Sequence, residues 1–308
     1  MSIVRTDVAM TSRLCSETID TLTKTYPFLR GGTLTTTAFG RPVRTLTLGR
    51  GARQVIFSAA HHANEWITTT VLLKFAEDFA VALTAGGTLF GVPAETIDHY
   101  CTIHLVPMVN PDGVDLVTGA IGPESREFEK ARRLAEYYPQ IPFPDGWKAN
   151  LLGVDLNLQY PAGWLRAREI KFSQGYTRPG PRDYVGRAPL NQPETIALAA
   201  FTEETDPALV LAYHSQGKVI YWQFQNYDVP GARELAEEFA RVSGYSAEDT
   251  PYESSFAGYK DWFIQNFRRP GFTIEVGSGE NPLPLSQFDE IYRDNLGILV
   301  TGALGLPE

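Results

Sequence analysis

One short segment of the chain combines side chains that bind metal ions. The run His61-His62-Ala63-Asn64-Glu65-Trp66 directly follows an apolar stretch at 54–60, and His62 and Glu65 are three residues apart. An imidazole nitrogen and a carboxylate at this spacing can meet on one side of a turn and supply two ligands of a zinc ion. Alone, the pair is a weak indication, because two such residues often occur at this spacing by chance.

A catalytic zinc site needs a third protein ligand and an open position for water. The chain has five histidines, and His214 comes at the end of another apolar run, as His62 does. His99 and His104 are better explained as satisfied or half-exposed histidines at a strand. His61 would point to the opposite side from His62, which favours a supporting or structural role. His214 is therefore the candidate third ligand.

Glu275 lies inside the apolar segment Phe272-Thr273-Ile274-Glu275-Val276-Gly277. A carboxylate in such a segment is costly to bury unless it is paired or used. Two interpretations are open. The side chain is either a salt-bridged carboxylate of the core or a general base held near the metal.

The segments that carry these residues alternate between apolar runs and amphipathic stretches. The pattern predicts strands at 43–48, 54–60, 102–108, 208–213 and 271–276, and helices at 10–25, 67–83, 193–205, 229–242, 257–268 and 287–300. Buried strands interleaved with helices predict an α/β fold, here a single-domain three-layer sandwich with a mixed, mostly parallel sheet flanked by helices. Ligand sites of open α/β sheets gather at the carboxyl ends of the strands, where His62 and His214 fall.

The stretch 164–193 is rich in glycine, proline and arginine and predicts a long surface loop. It is too short and too unlike a linker to separate domains, so residues 1–308 are predicted to form one catalytic domain. The loop is either simply solvated or turned with its arginines toward an anionic ligand.

Composition limits the possible partners and location. The chain has 27 Lys and Arg against 36 Asp and Glu, a net charge of −9, which argues against general affinity for nucleic acid or an anionic membrane. Its two cysteines exclude a disulfide scaffold and suit a reducing compartment. The first twenty residues lack the apolar core of a signal peptide, and no apolar run is long enough to span a membrane. We therefore predict a cytoplasmic protein.

Five motifs in a fixed order, H-x-x-E-W, NPDG, GVDLN, YHS and FTIEVG, resemble the zinc carboxypeptidase superfamily over about residues 20–305. Longer stretches such as HHANEWIT, WKANLLGVDLN and AYHSQGKVIYW resemble bacterial γ-D-glutamyl-meso-diaminopimelate peptidases, which cleave the D-Glu(γ)–diaminopimelate bond of peptidoglycan stem peptides. The resemblance implies one zinc ion per chain held by His62, Glu65 and His214, with Glu275 as the general base. It also implies that Asp155 orients the ring of His62.

Two departures from the family pattern bear on the substrate. Asn157 is kept, but the arginine that follows it in the carboxypeptidases and grips a terminal carboxylate is Leu158 here. Leucine cannot bind a carboxylate, so ordinary carboxyl-terminal trimming is disfavoured. Lys260 falls where the family places the residue at the base of the leaving-side pocket, and a lysine there suits the distal carboxylate of diaminopimelate. The alternative is that Lys260 is a solvated helix residue.

The group that stabilises the oxyanion also differs. The family uses an arginine in a Trp-Arg context, and this chain has Trp147-Lys148. Lys148 would act as a point charge without the fork of arginine, and Asn150 is the reserve donor. Tyr252 is the nearest match to the tyrosine that covers many sites of the family.

The sequence thus predicts a zinc peptidase that hydrolyses the γ-D-glutamyl-meso-diaminopimelate amide of stem peptides or muropeptides with metal-activated water. One alternative is a metallocarboxypeptidase that removes acidic or unusual carboxyl-terminal residues. Another is an inactive muropeptide-binding module, which the retention of Glu275 disfavours. Cobalt or manganese could occupy the same ligands as zinc.

Overall fold

The structure is a computed structural model that describes residues 2–306. Its strands are β1 Arg30–Thr36, β2 Pro42–Gly49, β3 Arg53–Ala59, β4 Thr88–Leu89, β5 Val92–Pro93, β6 Cys101–Val106, β7 Leu209–Ser215, β8 Val219–Tyr221, β9 Ser246–Glu248 and β10 Gly271–Val276. Its helices are α1 Ser12–Thr25, α2 Ile67–Ala85, α3 Ala94–Tyr100, α4 Pro111–Val117, α5 Arg126–Ala135, α6 Trp164–Ser173, α7 Pro193–Thr205, α8 Ala232–Ser243, α9 Tyr259–Phe267 and α10 Phe288–Leu304.

Eight of the strands form one sheet in the order β1-β2-β6-β3-β7-β10-β8-β9, and β4 and β5 form a separate hairpin. The four central strands β6, β3, β7 and β10 run parallel to one another. The strands β1, β2 and β8 pair antiparallel with their inner neighbours, and β9 is parallel to β8. The predicted mixed, mostly parallel sheet is confirmed.

Both faces of this sheet are buried. Successive side chains of a strand point to opposite faces, so one strand contributes to two cores. In β3, Val55 and Phe57 belong to a core shared with α2 and α10, and Ile56 belongs to a second core shared with α7 and α9. Strands buried on both faces read as continuous apolar runs, as these do in the sequence. The three-layer arrangement is confirmed.

The loop predicted at 164–193 is only partly a loop. Its first third is α6, which follows Gly163 at a φ of 66° and includes an Arg166–Glu169 ion pair at 2.8 Å. Glycine, proline and arginine are concentrated in the later part of the stretch, so its average composition concealed this helix. The remainder packs along the chain between Trp147 and Gln159 through backbone hydrogen bonds.

Between residues 2 and 306, every helix is either too short or too polar to cross a membrane. The prediction of one catalytic domain over 1–308 extends beyond these residues and stays a prediction.

Candidate metal centre and active-site pocket

Three neighbouring strands bring the predicted catalytic side chains to one edge of the sheet. β3 ends just before the turn that carries His62 and Glu65, β7 carries His214, and β10 carries Glu275. Glu275 and His214 are direct partners in the parallel pairing of β10 with β7. Paired residues on parallel strands about 4.8 Å apart point to the same face. Their side chains therefore lie side by side.

The donor atoms of His62, Glu65 and His214 converge on one point and lie within 4.8 Å of one another. Nδ1 of His62 is 2.9 Å from Oε1 of Glu65, Nδ1 of His214 is 2.9 Å from Oε2, and the two Nδ1 atoms are 3.2 Å apart. Ligands about 2.0–2.1 Å from a tetrahedral zinc ion lie about 3.3 Å from each other. The three side chains thus fit a zinc ion.

A proton competes with the metal for the ring of His62, because nearby negative charges favour the protonated form. Burial lowers the pKa of His62, but the Glu65 and Asp155 carboxylates outweigh it and raise the pKa to about 9. Burial raises the pKa of Glu65, but Lys148 and His62 outweigh it and hold that pKa well below its usual value. Because imidazole must lose its proton to bind a metal, affinity should rise with pH up to about 9.

Asp155 holds the ring of His62 from the side away from the metal donors. Its Oδ1 lies 3.2 Å from Nε2 of His62, and its Oδ2 accepts the backbone N–H of Asp183 at 3.1 Å. Burial raises the pKa of Asp155, but the charge of His62 and the hydrogen bonds lower it by a larger amount. The pKa is therefore below its usual value, and the carboxylate stays ionised. An ionised acceptor on Nε2 leaves Nδ1 free for a metal.

Asp155→Asn should weaken metal binding about 10- to 100-fold, because the amide is a weaker acceptor for the His62 ring. Competition with a chromophoric chelator measures the affinity. The exposed Asp145 provides a matched control as Asp145→Asn. Equal affinities of the two variants would contradict the assignment of Asp155.

Asn110, in the NPDG motif, fastens the metal-binding turn to the segment that carries Lys148. Its side-chain amide donates to the carbonyl oxygens of His61 at 3.1 Å and Ala149 at 3.0 Å, and its Oδ1 accepts from Gly113. A Cβ on Gly113 would lie 2.4 Å from the oxygen of Ala149, so the close approach requires glycine. The motif was recognised in the sequence, but this role depends on contacts that the sequence does not display.

Lys148 faces the metal donors. Its Nζ lies 2.9 Å from Oε1 of Glu65, and no second partner of the ammonium is found among residues 2–306. Burial lowers the pKa of Lys148, but the Glu65 carboxylate raises it, so the side chain is a cation. Asn150, the reserve donor, is buried, and its amide donates to Gln192 at 2.9 Å. Asn150 is not among the residues that line the pocket with Lys148, and its role as the reserve donor stays a prediction.

The carboxylate of Glu275 faces the pocket and accepts no hydrogen bond from the described part of the chain. Burial, together with the negative charge of Glu65, raises the pKa of Glu275 to about 8, against the opposing effect of Lys148 and His62. The salt-bridged core carboxylate considered from the sequence is not found. A free carboxylate beside metal donors is suited to accept a proton.

Lys260 lines the same pocket, but it is not a solvated helix residue. It is 4% exposed, and its Nζ lies 2.7 Å from Oδ1 of Asp261. It also donates to the carbonyl oxygen of Gln223 at 2.6 Å and to the Thr250 hydroxyl at 3.2 Å. Its charge is therefore compensated by Asp261, and two of its three donors have acceptors among the described residues.

Asn157 and Leu158 also line the pocket. Oδ1 of Asn157 accepts the backbone N–H of Tyr259 at 3.1 Å, which orients the side-chain amide. Leu158 is 8% exposed and offers no donor.

Tyr252 lies outside this pocket. The residue is 62% exposed, its hydroxyl accepts from Arg166 at 3.2 Å, and its ring lies perpendicular to that of Phe256, with the centroids 5.2 Å apart. The neighbouring Thr250 and Ser254 do line the pocket. The short turn at 252–254 directs Tyr252 outward, so the structure does not bring it to the metal donors, and its role as the covering tyrosine stays a prediction.

The residues that form one wall of the pocket were not named in the sequence analysis. Lys171 of α6, together with Arg182 and Asp183 of the following loop, lines the pocket beside His62 and Lys148. The arginine content of the stretch was the indication available, and it did not show which arginine points inward.

The zinc carboxypeptidase family profile matches residues 15–297. The chain is 47% identical over 284 residues to γ-D-glutamyl-L-diamino acid endopeptidase 1 of Lysinibacillus sphaericus, covering 92% of this chain and 69% of that protein.

Solved structures share the fold at low identity. Bovine thrombin-activatable fibrinolysis inhibitor, in complex with tick carboxypeptidase inhibitor, superposes with a TM-score of 0.72 at 16% identity, covering 97% of each chain. Murein-tripeptide amidase MpaA of Escherichia coli O157 gives a TM-score of 0.57 at 18% identity, covering 90% of this chain and 93% of the other.

Proposed function

Because this chain belongs to the zinc carboxypeptidase family, we propose that it hydrolyses the γ-D-glutamyl-meso-diaminopimelate amide bond of peptidoglycan stem peptides or muropeptides. The observation that supports the proposal is that three metal donors and the free carboxylate of Glu275 lie in one pocket. In this pocket, Leu158 replaces the arginine with which carboxypeptidases bind a terminal carboxylate. The relative at 47% identity is named for an endopeptidase acting on a γ-D-glutamyl bond. The family makes the chain a metal-dependent hydrolase of peptide bonds.

His62, Glu65 and His214 would hold the zinc ion, which when bound supplies Lewis-acid activation of water and of the amide carbonyl. Asp155 keeps the His62 ring in its orientation. Glu275 takes a proton from the attacking water and then delivers it to the nitrogen of the leaving amine as the C–N bond breaks. Lys148 donates to the oxygen of the amide carbonyl, which becomes negatively charged during the attack.

The charges of the pocket would suit an anionic peptide once the metal is bound. The lining cations are Lys148, Lys171, Arg182 and Lys260, and they are balanced by the lining carboxylates Asp155, Asp183, Asp261 and Glu275. A stem peptide ending in diaminopimelate carries several carboxylates close together. A zinc ion would add two positive charges against the single negative charge of Glu65, which would favour such a ligand.

The second candidate is a metallocarboxypeptidase for acidic carboxyl-terminal residues. It is supported by Asn157, whose oriented amide can bind a terminal carboxylate, and by the buried cation Lys260. The missing arginine at Leu158 makes it the weaker candidate. An inactive binding module is disfavoured because the metal donors, Lys148 and Glu275 are all in place.

The function is tested by incubating the protein with L-Ala-γ-D-Glu-meso-diaminopimelate, its lysine counterpart and a form with blocked terminal carboxyls, followed by mass spectrometry. We expect release of L-Ala-D-Glu from the diaminopimelate peptide, loss of activity with a chelator and recovery with zinc. Release of only single residues from ordinary acidic peptides would establish the carboxypeptidase instead.

We further propose that Lys260 attracts the distal carboxylate of diaminopimelate, which would take the place of the Thr250 hydroxyl as acceptor. Lys260→Ala should raise KM for the diaminopimelate peptide about 10- to 100-fold more than for the lysine peptide, because a charged hydrogen bond contributes about 1.5–3 kcal/mol. Steady-state kinetics on both peptides measures the difference, and the exposed Lys130 provides the control as Lys130→Ala. An equal increase in KM for both peptides would contradict the proposal that Lys260 binds the distal carboxylate.

We place this activity in the cytoplasm, as the composition of the chain suggests. Cell fractionation with an antibody against the protein tests the location.

A further inference from the structure

Arg182 presents unused hydrogen-bond donors to the active-site pocket. Its Nε donates to Oδ2 of Asp183 at 2.7 Å, and its two terminal nitrogens have no acceptor among residues 2–306. The side chain is 39% exposed, and it lines the pocket together with His62 and Lys148. A guanidinium has five donors in a rigid fork, and the free end is the part that matches a carboxylate.

The position of this guanidinium is fixed by Asp183. Lys171 of α6 lies 2.7 Å from Oδ1 of Asp183, so the carboxylate is held between two cations. The backbone of Asp183 is in the left-handed region at a φ of 64°, and its N–H is bound to Asp155. Non-glycine residues adopt this conformation at a cost, and it is found where surrounding contacts enforce it. The contacts therefore hold Arg182 against the residue that orients His62.

The two walls differ in how their cations are held. Asp183 is shared between Lys171 and Arg182, and Asp155, which accepts the N–H of Asp183, adds a second carboxylate to this wall. At the wall that carries Lys260, the ammonium is paired with Asp261 and donates to the carbonyl oxygen of Gln223 and to the Thr250 hydroxyl. Arg182 differs from Lys260 in that the forked end of its guanidinium is not engaged by these residues.

Arg182 is also joined through the backbone to the segment that carries Lys148. The backbone N–H groups of Lys148 and Ala149 both donate to the oxygen of Pro181, at 2.7 and 2.9 Å, which ties Arg182 to the segment of Lys148. Lys148 is the donor to the scissile carbonyl oxygen in the proposed reaction. In a γ-D-glutamyl residue, two methylenes and the α-carbon separate that carbonyl from the free α-carboxylate, about 5 Å in extended form.

We propose that Arg182 binds the free α-carboxylate of the D-glutamyl residue and makes the enzyme selective for D-glutamate over its α-amide, D-isoglutamine. The inference rests on the proposed function, since it assigns the acyl side of the same site. A carboxylate accepts two parallel hydrogen bonds from the free end of a guanidinium, whereas an amide offers one acceptor and no charge.

The test compares L-Ala-γ-D-Glu-meso-diaminopimelate with the same peptide carrying the α-amide. We expect the wild-type kcat/KM to favour the acid about 10- to 100-fold, the range of a charged hydrogen-bond pair. Arg182→Gln should bring that ratio close to one by lowering kcat/KM for the acid and leaving the amide peptide nearly unchanged. Arg182→Lys should keep part of the preference. Arg187→Gln, at an exposed arginine of the same loop, should leave both values as in the wild type.

The outcomes separate the two proposals. No cleavage of either peptide by the metal-loaded wild type would overturn the proposed function. Cleavage with the preference for the acid intact in Arg182→Gln would overturn the assignment of Arg182 alone. An equal loss on both peptides in that variant would also overturn it, because the arginine would then only support the local structure.

Discussion

Glu275→Gln should lower kcat about 100- to 10,000-fold, the usual contribution of a general base, while the bound zinc stays at one ion per chain. Glutamine has nearly the shape of glutamate but cannot take up a proton from water. The metal donors belong to three other residues, so their contacts are unchanged. Single-turnover kinetics and elemental analysis of the dialysed protein measure the two quantities.

The exposed Glu280 provides the matched control, and Glu280→Gln should behave as the wild type. Loss of zinc in Glu275→Gln would show instead that Glu275 is a metal ligand. The pH profile gives a second check. The base acts when ionised, so kcat/KM should fall as the pH is lowered through the pKa of Glu275.

Burial and Glu65 raise that pKa to about 8, and a divalent cation among the nearby donors lowers it by favouring the ionised form. The acidic limb of the profile should therefore lie between the usual value near 4.3 and about 8. This limb should be absent from the residual activity of Glu275→Gln.

Lys148→Met should lower kcat about 100- to 1,000-fold with a smaller change in KM, because the lost donor acts most strongly on the charge that develops on the carbonyl oxygen. Methionine fills a similar volume in the buried site. Steady-state kinetics at saturating zinc measures the effect.

Since Lys148 is also paired with Glu65, zinc content has to be measured alongside the rate. Lys148→Arg should keep more of kcat than Lys148→Met, because it retains the charge, and the exposed Lys130→Met should have no effect. If kcat of Lys148→Met were within a few-fold of the wild-type value, the proposal that Lys148 stabilises the carbonyl oxygen would be contradicted.

The sheet and the metal donors could be predicted from the sequence because both produce patterns in short segments of the chain. A strand buried on both faces appears as an uninterrupted apolar run, and His62 and His214 each follow or end such a run. In a parallel sheet, this position already implies that the two side chains meet. The helix at 193–205 and the strand at 271–276 were predicted with the bounds of α7 and β10.

The features that escaped prediction depend on contacts between distant parts of the chain. Arg182 reaches the site because Asp183 is held by α6 and by Asp155, 28 residues earlier. Lys260 is buried because Gln223, 37 residues away, receives its ammonium. Tyr252 points away from the pocket because of the short turn that carries it. No periodicity or motif records such contacts.

The outermost donors of the metal site, His62 and His214, are 152 residues apart in the chain. An unfolded chain therefore contains no preassembled chelate, and the ion binds tightly only after β3 and β7 have paired. By mass action, a metal concentration 1,000 times the dissociation constant would add about 4 kcal/mol to the free energy of unfolding. We therefore expect the free metal concentration to set the stability of this protein as well as its activity.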